Sequence, residues 1–125
     1  MPGVSKDSAA QVEDHGVVED RHEDIDGYTV NFLSFREDAD VTPLFRGLPD
    51  DRCPCPHWGY VLSGRVTYRF ATHEEIFEAG DAFYVPSGHV PYVTAGTEFV
   101  QFSPAEQLHQ VTSTMMANFR QMQGV

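Results

Sequence analysis

A chain of 125 residues, 41% of them apolar, is long enough for one domain with its own core and too apolar for wholesale disorder. Its formal net charge of -11 works against binding to nucleic-acid phosphates or to an anionic membrane surface. No run of about 18 apolar residues reads as a bilayer span, and the opening Met-Pro-Gly-Val-Ser-Lys-Asp lacks the apolar stretch of a signal peptide.

Residues 1–26 carry their acids in clusters, Glu13-Asp14, Glu19-Asp20, Glu23-Asp24 and Asp26, with Val17-Val18 as the main apolar break. They read as a solvated acidic arm, lightly pinned to the barrel, with His15 and His22 as surface residues. Residues 1 to about 20 are expected to contribute little stability, so that a chain starting near Glu23 keeps its melting temperature. The chain then turns β-like. Tyr28 to Phe35 is rich in aromatic and β-branched residues, and Val41 to Phe45 is a second short apolar piece. A loop at Gly47, Pro49, Asp50 and Asp51 delivers the chain to Cys53-Pro-Cys-Pro-His-Trp-Gly-Tyr-Val-Leu-Ser-Gly64.

Beyond Gly64, Arg65 to Phe70 alternates strictly, with Val66, Tyr68 and Phe70 on one side and Arg65, Thr67 and Arg69 on the other. Short strands are expected around Ile76-Phe77 and over Ala82–Val85, Val90–Thr94 and Phe99–Phe102, separated by turn residues. That rhythm predicts an all-β sandwich or small barrel. The period changes after Ser103-Pro104-Ala105-Glu106, a helix-start signature. Leu108, Val111, Met115, Phe119 and Met122 then mark one apolar face of a helix over residues 104–125, stopped at Gly124.

The chemistry concentrates in the Cys53–Gly64 segment. Cys53 and Cys55, one residue apart, are too close for an unstrained disulfide, so reduced thiol or metal thiolate is expected, which suits a cytoplasmic protein. With His57 they place three metal-capable side chains at the mouth of a strand. An extended Cys53-to-His57 span of roughly 13 Å favours Cys55 as the thiolate, whereas a turn at Pro54 and Pro56 would restore Cys53. Thiolate with imidazole suits zinc, copper or nickel better than magnesium or calcium, and zinc best. Tyr60, Tyr68, Tyr84 and Tyr92, with Trp58, exceed what a minimal core needs, and the tyrosines are expected to line a ligand pocket.

Tyr60-Val61-Leu62-Ser63-Gly64 resembles the end of the first cupin motif. Gly80-Asp81 with Pro86-Ser87-Gly88 resembles the start of the second, at matching spacing. The likeness covers roughly residues 45–103, and the sequence is similar to a subgroup of short bacterial cupins with Cys-x-x-x-His before Gly-Tyr-Val-x-Ser-Gly and Pro-x-Gly-His after it. It implies a cupin-type double-stranded β-helix, or jelly-roll barrel, over residues 27–103. It also implies a metal set of Cys53, His57 and His89, with Cys55 as the alternative thiolate, and it is the resemblance alone that adds iron to the candidate metals. His57 stands where the family's usual Glu would be, and Pro91 where its second-motif His would be.

Two functions follow as expectations. One is a divalent-metal cupin that binds a small organic ligand and acts as an oxygenase, isomerase or lyase. The other is a metal-free module that binds or senses a small molecule. A homodimer is expected in either case, since a jelly roll leaves sheet edges to cover and the tail helix offers an apolar stripe, although covering its own barrel would satisfy that stripe equally well.

Overall fold

The computed structural model describes residues 3–122. Its strands are β1 (Gln11–Asp14), β2 (Val18–Ile25), β3 (Tyr28–Phe35), β4 (Ala39–Asp40), β5 (His57–Ser63), β6 (Arg65–Arg69), β7 (Glu74–Glu78), β8 (Ala82–Val85), β9 (Val90–Val93) and β10 (Glu98–Pro104). A single helix, α1 (Ala105–Met122), closes the described chain; the expected stop at Gly124 lies outside the described residues. Every strand pair is antiparallel, and the sheets are ordered β1-β2-β3-β10-β5-β8 and β4-β9-β6-β7. This is the double-stranded β-helix that the cupin resemblance implied, and it satisfies the coarser expectation of a sandwich or small barrel from the strand rhythm. No described helix is long and apolar enough to cross a membrane.

The alternation along β6 sets the inner layer. Val66 and Tyr68 are buried, at 0% and 2% exposure, and Arg65 lies on the outside. They meet Phe35, Val61, Phe83, Val85, Val93 and Phe99 between the two sheets. Gly64 alone joins β5 to β6 at φ +78°, and a Cβ there would come within 2.6 Å of Thr97 Cα. Only glycine combines that backbone with that approach. The pairing is further locked by Thr97 Oγ1, which accepts from Arg65 N–H at 3.0 Å.

The N-terminal acids depart from expectation. Instead of a solvated arm, β2 pairs with β3 along its whole length, from Val18 opposite Phe35 to Ile25 opposite Tyr28, and β1 pairs with β2 at the sheet edge. The side chains that turn inward find donors: Asn31 Nδ2 donates to Asp20 at 3.0 Å and the Thr29 hydroxyl to Asp24 at 2.6 Å. Burial raises the Asp20 pKa, opposed by its hydrogen bond from Asn31. Backbone pairing and these partners override the poor strand propensity of an acidic run. Val41–Phe45 also differs. Thr42–Phe45 makes a 3-10 turn with Pro at its start, because Asp40 Oδ1 accepts from the Thr42 N–H and the proline holds the helical φ.

Helix α1 packs on its own barrel. Leu108 and Val111 are buried with Phe45, Cys53, Cys55 and Val90, and Met115 packs against them. Asn118 Nδ2 anchors the helix to the Leu44 and Arg46 carbonyls at 2.7 and 2.8 Å. Leu108, Val111 and Met115 of the apolar stripe are therefore used to cover the chain's own barrel, while Met122 at its end is 60% exposed. Because β2 completes the sheet under this helix, a chain starting at Glu23 should melt at least about 10 °C lower than the full chain, at roughly 4 °C per kcal/mol for a domain of this size. Differential scanning calorimetry of the two proteins checks this.

Candidate metal centre

Three segments converge at one end of the barrel. Cys53 precedes β5, His57 opens β5, and His89 sits in the turn before β9. An isolated β-bridge joins Cys53 to His89, with Cys53 N–H donating to the His89 carbonyl at 2.9 Å and Gly88 N–H to the Cys53 carbonyl at 2.8 Å. His57 faces inward because β5 alternates from it, with Val61 on the same side. The ligand atoms of Cys53, His57 and His89 all lie within 4.8 Å of one another, and the residues are 2%, 6% and 1% exposed.

Both imidazoles are oriented from behind. The Nδ1 of His89 lies 2.7 Å from the Pro86 carbonyl, so it carries the proton and Nε2 is left free. The Nδ1 of His57 lies 2.7 Å from the Ser103 hydroxyl, while its Nε2 is 3.7 Å from Cys53 Sγ. The two rings sit 4.9 Å apart at 61°. This is how a protein presents imidazoles to a metal: one nitrogen held, the other aimed at the ion.

Electrostatically the site is built to be neutral without a cation. Burial pushes the Cys53 thiol up to about 12, and burial followed by the neighbouring His89 pushes His57 down to about 3. Burial also lowers His89, against the pull of its bond to Pro86. A divalent ion reverses these penalties by charging the thiol and taking the free lone pairs. The donor set of one thiolate and two neutral imidazoles therefore fits a soft or borderline transition metal.

Cys55 does not join the group. It is fully buried in the cluster with Leu108 and Val111, its Sγ lies 3.5 Å from the Pro56 carbonyl, and burial pushes its pKa up to about 11, against a hydrogen bond from Ser103. A bend at Cys55, between Pro54 and Pro56, accompanies the approach of Cys53, rather than Cys55, to His57. Of the four tyrosines expected at a pocket, Tyr68 alone is inside, edge-on to His89 at 5.3 Å, with burial raising its pKa. Tyr60 and Tyr84 are 44% and 48% exposed on the outer face of the six-stranded sheet. Once His57 faces inward, Tyr60 three residues on must face outward. Tyr92 lies on the outside of the other sheet beneath the Arg69 guanidinium, 5.1 Å from its ring centre. Reasoning from sequence missed Ser103, read as a helix cap. It is the next-to-last residue of β10, buried and hydrogen-bonded to His57, and only the β5–β10 pairing reveals this.

A cavity of about 360 Å³ lies on the outer side of the Cys53–His89 bridge, lined by Arg52, Pro54, Phe70, His73 and Gly88 among others. Phe70 joins it to the site, stacked on His73 and 6.3 Å from the His89 ring.

The family profile described as Cupin domain matches residues 54–100, the span that holds His57, His89 and the glycine turns. No curated protein sequence matches the chain. Among solved structures, a protein of unknown function from Rhizobium leguminosarum bv. viciae aligns over 82% of this chain and 94% of its own, at 13% identity and TM-score 0.58. The polyketide cyclase RemF from Streptomyces resistomycificus aligns over 83% and 79%, at 15% identity and TM-score 0.55. An RmlC-like cupin from Shewanella frigidimarina aligns over 75% and 83%, at 19% identity and TM-score 0.52. At these identities the likeness is one of fold.

Two outcomes follow from the geometry. Ser103→Ala should weaken metal binding by about 10–100-fold while leaving the barrel folded, as measured by competition with a chelator. The metal-free protein should also lose stability as pH falls from about 6.5 towards 3. Across that range the unfolded chain takes up a proton that folded His57 refuses, whereas above 6.5 the contribution is fully present. Urea unfolding across this range should show a shallower slope in His57→Gln.

Proposed function

Because the chain is a cupin-superfamily protein, we propose that it binds one divalent transition metal through Cys53, His57 and His89 and acts on a small organic ligand beside it. The observation that carries this reading is the gathering of three buried donors within 4.8 Å, with both histidines held at Nδ1. Three protein ligands leave a fourth position to water or ligand, the arrangement of catalytic rather than structural zinc. Zinc is the first choice, with iron, nickel and copper compatible with the same donors. Such an ion supplies Lewis acidity or an activated water to whatever binds there.

The chain's own groups do the rest. His89 holds its proton at Nδ1 against the Pro86 carbonyl and keeps Nε2 unprotonated, and His57 is fixed through Nδ1 by the Ser103 hydroxyl. Leu108, Val111 and Met115 of α1 exclude water from the side facing the helix. Tyr68 brings its ring against His89. The cavity with Arg52, Phe70 and His73 is the place for a small organic ligand. A working metal thiolate also needs a reduced thiol, in keeping with a reducing compartment such as the cytoplasm.

Elemental analysis of the purified protein should find close to one metal per chain, lost in His57→Ala, His89→Ala and Cys53→Ala but kept in Cys55→Ala. Folded protein that stays metal-free after growth with supplemented zinc and iron would favour the metal-free binding module.

A further inference from the structure

Side-chain alternation at the Cys53–His89 bridge divides the two sides of the barrel mouth. Cys53 and His89 turn into the centre, so Arg52, Pro54 and Gly88 lie on its outer side, where all three line the cavity of about 360 Å³. That volume sits at the low end of small-molecule pockets. The backbone that delivers Arg52 is tightly set. Asp50 and Asp51 both stand at positive φ, 56° and 55°. The Asp51 carboxylate accepts from the Gly47 N–H at 3.0 Å, and the Arg52 N–H donates to the Pro49 carbonyl at 3.1 Å. Consecutive left-handed residues other than glycine cost energy and persist only where their surroundings fix them.

The charge of Arg52 is not met within the chain. Lys6, Arg21, Arg36 and Arg69 each have a carboxylate at 3.6 Å or less. Arg46, Arg65 and Arg120 have none among the described residues, but they are exposed and water solvates them. Arg52 is half-buried, and its guanidinium makes neither an ion pair nor a hydrogen bond among the described residues. In a chain with 19 acids, a half-buried guanidinium has been left free at the wall of a cavity. Removing a charge from water is unfavourable unless a partner of opposite sign joins it.

We infer that this cavity takes a small organic monocarboxylate, held by the Arg52 guanidinium with its apolar body against Phe70 and Pro54. The inference rests on the reading that the ligand lies beside the metal centre, and it adds the ligand's chemical class. The planar guanidinium fork matches a carboxylate in two parallel hydrogen bonds. The Ser87 hydroxyl, also on the cavity wall and without a partner among the described residues, can donate a third. Phe70 is stacked on His73 at 4.7 Å and 7°, which gives a flat ligand a fixed aromatic wall. Asp50 limits the charge. Its carboxylate lines the same cavity and would repel a second negative group, so dicarboxylates and phosphate are selected against.

Benzoate, benzamide and phthalate separate charge from shape, and amide NMR titration of the full chain resolves millimolar binding. Benzoate should saturate with shifts at Arg52, Ala71 and Gly88, at a dissociation constant of about 0.1–5 mM. Benzamide lacks the charge and phthalate adds a second carboxylate, so each should bind at least about tenfold more weakly. Arg52→Gln should weaken benzoate at least about tenfold and leave benzamide unchanged, whereas Arg65→Gln should alter neither. Benzoate should also bind less well as salt rises from about 0.05 to about 0.5 M, because a half-exposed ion pair is screened. Equal binding of benzoate and benzamide overturns the inference. So does benzoate binding that ignores Arg52→Gln, or no saturable shift by about 50 mM. The titrations use both metal-free and zinc-treated protein. Arg52-dependent benzoate binding in a chain that takes up no zinc upholds the inference and sinks the metal reading. Zinc uptake with no preference for benzoate over benzamide overturns the inference alone.

Discussion

Two backbone hydrogen bonds between Cys53 and residues 88–89 hold the candidate centre together. They clip a loop that arrives at β5 to a loop that arrives at β9, and these strands belong to different sheets. Without the clip, Cys53 would hang from a proline-flanked segment with no fixed distance to either histidine. With it, one backbone contact sets the Cys53–His89 approach, and strand β5 sets His57 from the same anchor four residues on. The site's precision thus comes from backbone pairing at the barrel mouth.

That backbone frame explains why the donors are buried so completely. Helix α1 folds back over the cysteine loop through Leu108 and Val111, and the 3-10 turn at Thr42–Phe45 fills in beside it with Phe45. Burial disfavours both a thiolate and a protonated imidazole, so the empty site gains nothing from charge. The barrel spends stability to hold three neutral donors in reach of one another, and a cation is the species that recovers it.

Most strands were legible because their signals are local. β3 and β8 have the bounds that the aromatic and β-branched runs suggested, and the alternation in β6 correctly placed Tyr68 inside. Glycine and proline spacing carried the fold, and the Cys-x-x-x-His pattern carried two of the three clustered donors. What failed was non-local. The acids of β2 show no strand pattern, and β3 makes them a strand by offering backbone partners, with Asn31 and Thr29 as donors. Tyr60 could have been placed from sequence, since an inward His57 forces it outward. Reading it as a pocket residue applied composition where parity decides. Ser103 could not be placed, because its role rests on a register between residues 46 positions apart.

The same register gives the acidic strand a reason to exist. Along the inner face, Ser103 of β10 lies opposite Thr29 of β3, and Thr29 opposite Asp24 of β2. His57 hydrogen-bonds Ser103, Thr29 donates to Asp24, and His109 of α1 reaches Asp24 at 3.2 Å. One polar row therefore crosses the sheet beneath the helix, from a candidate metal ligand to the acidic edge. Next to it, Gln101 and Asn31 meet at 3.5 Å and Asn31 donates to Asp20. Two rows on from the first, Val61, Phe99 and Leu33 belong to the apolar core against the other sheet. The inward side of the six-stranded sheet is thus divided. Its apolar half packs the barrel, and its polar half, which an apolar core could not satisfy, lies under α1 with hydrogen bonds reaching from strand to strand. Asp20 and Asp24 are the far end of that polar half, which is why a run so poor in apolar residues still folds into the body of the molecule.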